Sequence, residues 1–235
     1  MTRSKSTLLR RSGVALYNVA NLLGWSPTVI YQVGIGCYYK EVEVFREAWP
    51  EADLIGFEPH PEIVHRIQNY PGLLIRKALG RCKGRTRLIW DPAHLDGASI
   101  YDDPTNDRLE GTIVEIDTLD NYHAKVAWKR SDDRVLLWLD CEGSELDVLI
   151  GGEKFVSNVD VINVELTGNP PRSGWPEPVE VNRWLLERDF LLQHIHTQRT
   201  TAGQVDAIYV RPELYKSKYC CCPLMVEEWK KQNET

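Results

Sequence analysis

Residues 28–58 constrain the fold of this chain more than any other stretch. Thr28-Val29-Ile30-Tyr31-Gln32-Val33 is an apolar run of strand length, and Gly34 and Gly36 break it. Val42, Phe45 and Trp49 follow at helical spacing. Residues 52–57 form a second apolar run, with Glu58 at its carboxyl end. A strand, a glycine turn, a helix and a second strand ending in an acid make a unit that holds a nucleoside. The turn admits a ligand close to the main chain because no Cβ intervenes, and the carboxylate accepts hydrogen bonds from ribose hydroxyls.

Spacing narrows the ligand. A dinucleotide fingerprint places a third glycine three residues after the second, for close packing around a pyrophosphate. That place holds Tyr39. The Gly-Lys-Ser/Thr of a phosphate-binding loop is absent from the sequence. What remains is a nucleoside without a pyrophosphate, and S-adenosylmethionine fits that description. An ordinary strand-to-helix turn would explain the two glycines alone; Glu58 is what argues for a ligand.

The chain has 235 residues, and 28 basic against 34 acidic residues give it a net charge of −6. That length suits one larger α/β domain with an ample core. The acidity argues against broad nucleic-acid binding. Arg76, Lys77, Arg81, Lys83, Arg85 and Arg87 read as the solvated edge of a hairpin. No apolar run has the length of a membrane span. Arg3, Lys5, Arg10 and Arg11 precede an apolar stretch, 14–23, that Tyr17, Asn18 and Asn21 interrupt. We read an amphipathic helix leading into the domain, not a signal peptide; a membrane-surface helix is the alternative. Cys37, Cys82, Cys141 and the triplet Cys220, Cys221 and Cys222 match neither a disulfide framework nor a zinc site. A reducing, cytoplasmic setting follows. The expected division is a helical lead-in over 1–27, a Rossmann-like domain over 28–212 and a tail over 213–235. Nothing in the pattern fixes an oligomeric state.

Pro61 suits the first position of a helix whose apolar face is Ile63, Val64 and Ile67. Residues 73–79 read as a third strand, and 85–90 and 111–116 as an antiparallel excursion around a long loop, 91–110. Residues 134–139 are near-continuously apolar, as a central parallel strand buried on both faces should be. A short helix follows, with Leu146, Leu149 and Ile150 inward and Gly151-Gly152 as its stop. Strands over 159–166, 191–196 and 205–210 and a helix over 181–188 complete the pattern. Alternating strands and helices predict one open α/β domain, a mostly parallel central sheet with helices on both faces.

Asp140 and Glu142 follow the strongest strand, and ligands of open α/β sheets bind outside the carboxyl ends of the strands. Both acids should therefore share a crevice with Gly34 and Glu58. Ser144 with Asp147 fits a helix cap, and Glu145 fits the helix dipole. Asp140 and Glu142 precede the cap and are read as site residues.

Several stretches, in order, resemble the FkbM-type methyltransferase family. They are Val33-Gly34-Ile35-Gly36, Ile55-Gly56-Phe57-Glu58-Pro59, Ala78-Leu79-Gly80, Thr118-Leu119-Asp120, Leu139-Asp140-Cys141-Glu142-Gly143-Ser144-Glu145 with Val148-Leu149-Ile150-Gly151-Gly152, and Val164-Glu165. The resemblance implies a Rossmann-like class I methyltransferase fold and S-adenosylmethionine as cofactor. It places Gln32, Gly34, Gly36, Glu58, Pro59, Ala78 and Leu79 around that cofactor, and implies O-methylation of a small-molecule or carbohydrate acceptor. Two positions depart from the family pattern: Gln32 stands where an acid is usual, and Trp138 where lysine is common.

Methyl transfer to an alcohol is helped by a general base, for which Asp140 and Glu142 are the candidates and Glu165 a third. A divalent cation on these carboxylates is the alternative; the metal-free reading is favoured because the resemblance implies no metal. His194 and His196 share a strand face and read as a solvated strand end. The loop 91–110 and the Pro-rich stretch 169–176 are expected to shape the acceptor pocket. Arg172 and Trp175 offer a clamp or a stacking face there, against the default of a surface loop. The competing readings are a nucleotide-dependent enzyme of another type, which Tyr39 disfavours, and a non-catalytic binding module, at which Gln32 and Trp138 hint.

Overall fold

The computed structural model describes residues 12–37, 40–103, 106–125, 132–169, 172–197 and 203–216. Tyr39, the basic residues before position 12, the Cys220–Cys222 triplet and the expected tail beyond 216 lie outside them. The chain opens with helix α1 (Ser12–Leu23), strand β1 (Val29–Val33), α2 (Lys40–Ala48), β2 (Asp53–Phe57), α3 (Pro61–Arg66) and β3 (Leu73–Ile75). An excursion follows: β4 (Ala78–Leu79), β5 (Gly84–Asp91), β6 (His94–Ser99) and β7 (Glu110–Asp117). The second half comprises α4 (Leu119–Lys125), β8 (Val135–Leu139), α5 (Glu145–Gly151), α6 (Glu153–Val156), β9 (Val161–Thr167), α7 (Pro178–Leu186), β10 (Leu191–Thr197) and β11 (Gln204–Val210), and then a 3-10 turn, Pro212–Lys216.

The seven-stranded sheet has the order β10-β11-β9-β8-β1-β2-β3. Its pairs are parallel except those of β11, which runs antiparallel between β9 and β10. Alternation sends successive side chains to opposite faces. Ile30, Trp138 and Ile208 join a core with α1, α2, α3 and the smaller sheet. Tyr31, Leu137 and Tyr209 join a second core with α4 to α7. The sheet is thus doubly wound, in the Rossmann-like arrangement the sequence predicts. Phe45 and Trp138 meet edge to face, 5.4 Å between ring centroids. Both are fully buried, and a fully buried side chain of this size contributes roughly 1.5–3 kcal/mol. The inner face of α1 is Leu16, Val19, Ala20 and Leu23, all buried against the domain. Among the described residues no helix is long and apolar enough to cross a membrane.

Two expectations need correction, and one helix is added. Residues 73–79 are two strands: β3 pairs with β2, and the chain then crosses to the smaller sheet, where β4 pairs with β7. The crossing residue Lys77 is held by Glu115 at 2.9 Å and Asp117 at 3.6 Å. The loop 91–110 contains β6, the edge strand of a four-stranded sheet of order β4-β7-β5-β6. Helix α4, which the sequence pattern did not announce, begins at the Thr-Leu-Asp stretch. Thr118 Oγ1 accepts from the Asn121 N–H, and the Asp120 carboxylate caps α6 by accepting from the Phe155 N–H at 2.7 Å.

Candidate active site

From β1 the chain winds to β2 and β3 on one side, and later to β8 and β9 on the other. The carboxyl ends of β1 and β8 therefore flank the topological switch point, where connections leave in opposite directions and a crevice opens. A cavity of about 330 Å³ lies there. Glu58, Pro59, Ala78 and Leu79 line one side, Gly34 and Gly36 the floor, and Asp140, Glu142 and Glu165 the other side. Asp96 and Ser99, from β6, complete the wall.

Gly34 and Gly36 have φ of +80° and +69°, the left-handed region that glycine enters without a Cβ penalty. At Gly34 the reason is the protein's own backbone more than a ligand: a Cβ there would fall on the carbonyl oxygen of Asp140, at the end of the neighbouring strand. Glu58 is 4% exposed, and its carboxylate braces the glycine loop. Oε2 accepts from the Ile35 and Gly36 N–H groups, each at 3.2 Å, and Oε1 accepts from the His60 N–H at 2.9 Å. Burial raises the Glu58 pKa, and the three backbone donors oppose that rise. A carboxylate has about four acceptor sites, so little capacity remains after these three bonds.

On the far side, Asp140, Glu142 and Glu165 place one oxygen each within 4.8 Å of the others. Burial, then Glu165 and Glu142, push the Asp140 carboxyl well above the usual carboxylate range. Burial, then the charge of Glu145, push Glu142 up to about 7, while Arg172 acts in the opposite sense. Three hard oxygen donors so close together suit a divalent cation as well as they suit a shared proton.

Glu142 sits on a strained turn, with φ of +52° followed by Gly143 at +95°. Glu145 holds that turn. Its Oε1 accepts from the Cys141 N–H at 2.9 Å and the Gly143 N–H at 3.2 Å. Ser99 Oγ donates to the Glu142 carbonyl at 2.7 Å. The cap expected from Ser144 and Asp147 does not form: Ser144 makes no side-chain cap bond. Asp147 instead accepts from the Tyr101 hydroxyl at 2.9 Å and pairs with Arg81.

Other candidates fall away from the cavity. Gln32 is fully buried at the same register as Trp138, with its oxygen accepting from the Tyr70 hydroxyl at 3.2 Å. Neither Gln32 nor Trp138 lines the cavity. Trp175 is buried over Gly143, where a Cβ would strike its indole ring. Arg172 donates to the Gly97 carbonyl at 2.9 Å and the Tyr101 carbonyl at 3.4 Å. Both side chains thus bind their own protein in place of the clamp expected of them. His194 and His196 lie outside the carboxylate group found among the described residues. Sequence reasoning missed Asp96, whose Oδ1 accepts from the Cys37 N–H in the glycine loop. It also missed Ser99 and gave Glu145 too small a role. Glu145 alone carried a signal, as an acid just after a glycine turn at a helix start.

The family model for the methyltransferase FkbM domain matches residues 29–192. The 2-O-methyltransferase NoeI of Sinorhizobium fredii (strain NBRC 101917 / NGR234) is 27% identical over 165 residues, which cover 63% of this chain and 66% of that protein. The match thus spans just under two thirds of that relative. A Thermobifida fusca YX protein solved as a candidate methyltransferase superimposes with a TM-score of 0.50 at 9% identity, over 85% of this chain and 78% of that one. The magnesium protoporphyrin IX methyltransferase of Synechocystis PCC 6803, solved with bound S-adenosylmethionine, gives a TM-score of 0.49 at 11% identity, over 88% and 79%. By the extent of the domain match, this chain belongs to the FkbM methyltransferase family.

Proposed function

We propose that this methyltransferase uses S-adenosylmethionine to O-methylate a small, uncharged acceptor, with carbohydrates the first class to examine. The observation that carries the reading is the polarity of the cavity. At one end Phe57, Ile63, Ala78, Leu79 and Leu88 offer apolar surface beside the Glu58 carboxylate. At the other, Asp140, Glu142 and Glu165 crowd three carboxyl groups together, whose mutual repulsion a cation relieves. An adenosine with a cationic arm matches both ends. When bound, S-adenosylmethionine supplies a methyl group on a sulfonium, which leaves without further activation.

The chain's own residues then have three tasks. Glu58 and the glycine loop hold the ribose side, with Pro59, Ala78 and Leu79 beside the base. The β8 and β9 carboxylates accept hydrogen bonds from an acceptor hydroxyl and orient it, which is where alignment lowers the barrier. One of them, unprotonated, takes the hydroxyl proton; Glu142 suits this task, because a base whose pKa lies near neutrality is both ionised and basic at working pH. Asp96, Glu41 and the three clustered acids outnumber Lys40 and Lys77 in the cavity lining, which favours a neutral, hydroxyl-rich acceptor over a phosphate or carboxylate. The name of the NoeI relative supports oxygen as the methylated atom. The free thiols of Cys37, Cys82 and Cys141 support a reducing, cytoplasmic setting.

Thermal shift tests the cofactor. S-adenosylhomocysteine should raise the melting temperature and NAD should not, because a ligand that binds only the folded state stabilises it. A shift with NAD and none with S-adenosylhomocysteine overturns the reading. Release of S-adenosylhomocysteine with pooled sugars and small alcohols then identifies the acceptor.

A further inference from the structure

We infer that Asp140 is a cofactor-binding residue, its carboxylate the counter-charge of the cofactor's α-ammonium, which leaves Glu142 and Glu165 to the acceptor. This rests on the S-adenosylmethionine reading above and divides the carboxylate cluster between two ligands.

The sheet order supplies the first argument. Glu58, Gly34 and Asp140 directly follow the consecutive strands β2, β1 and β8, and Glu165 lies near the carboxyl end of the next strand, β9. Neighbouring strands lie about 4.8 Å apart. With the ribose at Glu58, the amino-acid arm crosses the glycine loop and meets the end of β8 before that of β9. Backbone packing supplies the second. The Asp140 carbonyl occupies the space a Gly34 side chain would need, and its N–H donates to the Val33 carbonyl at 3.0 Å. Asp140 is thereby fixed to the glycine loop, whereas Glu142 stands beyond it on a separate strained turn tied to β6.

Charge supplies the third. Beyond burial, the groups that disfavour ionisation of Asp140 are all acids: Glu165, Glu142, Glu41 and Asp206. A cation placed among them relieves that repulsion. The polar side chain that β1 itself offers next to the loop, Gln32, is neutral, turned toward Tyr70 and off the cavity. Of the acids that line the cavity, Asp140 is the one whose backbone abuts Gly34, and the counter-charge is assigned to it. A charge-assisted hydrogen bond of this kind is roughly twice as strong as a neutral one.

The test is calorimetry with S-adenosylhomocysteine and with its analogue in which hydrogen replaces the α-amino group, at one pH and ionic strength. Wild type should prefer the amino compound tenfold or more. Asp140→Asn should bind the two within about twofold, and should bind the deaminated analogue as wild type does, which isolates the pairwise coupling. Equal affinity of the two ligands in wild type overturns the inference with no variant needed. So does an undiminished preference in Asp140→Asn, or in Asp140→Ser should the first variant fail to fold. A preference that EDTA removes from wild type and magnesium restores also overturns it, because the carboxylates would then hold a metal. A wild type that binds neither compound overturns the cofactor reading itself.

Discussion

Glu145 offers a test of the site that needs no substrate. The residue is 5% exposed, and one carboxylate oxygen takes both the Cys141 and the Gly143 N–H. Glu145→Ala strands two donors. A donor left without a partner costs about 1–3 kcal/mol, with the buried one at the higher end. The Cys141 bond is half-buried and the Gly143 bond buried, so about 1 and about 2 kcal/mol are reasonable shares. The sum, about 3 kcal/mol, corresponds to roughly 6–12 °C in melting temperature for a chain of this size. Glu145→Gln keeps an acceptor oxygen in place and loses only the charge assistance, while removing the cost of burying that charge. It should cost about 1 kcal/mol. Urea unfolding followed by circular dichroism gives both values. If Glu145→Ala lies within about 0.5 kcal/mol of wild type, an ordinary surface value, the turn does not depend on this carboxylate. If Glu145→Gln is as damaging as Glu145→Ala, charge and not hydrogen bonding holds the turn.

Glu142, raised to about 7 from an ordinary 4.5, binds its proton more tightly in the folded chain than in the unfolded one. Its contribution to stability is therefore present below pH 4.5 and is lost as pH rises to about 7; Glu142→Gln should flatten that part of a stability–pH curve. With an acceptor in hand, turnover should climb through pH 7 and level off, and Glu142→Gln should lower kcat by about 10²–10⁴; a profile unchanged by the substitution removes Glu142 as the base. Gly34→Ala should abolish soluble expression, because the Asp140 carbonyl leaves no room for a Cβ. Gly24→Ala, at φ +62° with nothing within 4 Å, should cost only about 1–2 kcal/mol; similar yields and melting temperatures for the two would contradict the packing at Gly34. Glu58→Gln offers one acceptor oxygen to three backbone donors and should weaken S-adenosylhomocysteine at least tenfold by calorimetry; equal affinity would take Glu58 out of the site.

The centre of the large sheet was legible because its inner strands are buried on both faces and read as short apolar runs: 134–139 foretells β8, and 28–33 foretells β1. Strand β6 was not, because His94-Leu95-Asp96-Gly97-Ala98-Ser99 has no apolar alternation and is defined by its pairing with β5. The acids at strand ends were found by position alone, a rule of topology that needs no side-chain detail. The direction in which a side chain turns is different information. Gln32 immediately precedes the strand's last residue, yet faces Tyr70. Ser144 has the chemistry of a cap, yet Glu145 reaches the donors of the turn first. Trp175 and Arg172 looked like ligand contacts because aromatic and guanidinium groups suit that work. The structure commits one to Gly143 and the other to two carbonyls of the excursion.

Strand β6 touches both halves of the cavity. Asp96 grips the glycine loop through the Cys37 N–H, and Ser99 grips the turn that carries Glu142 through its carbonyl. As an edge strand it has a paired neighbour only in β5 within its own sheet. A ligand that draws the glycine loop inward would pull on one end of this crossbar, and the other end holds the turn that carries Glu142, the base proposed above. The two ligands of a transfer reaction would thus sense each other through the four residues 96–99 of one short strand, so that order of entry becomes a property of local hydrogen bonding and requires no hinge between domains.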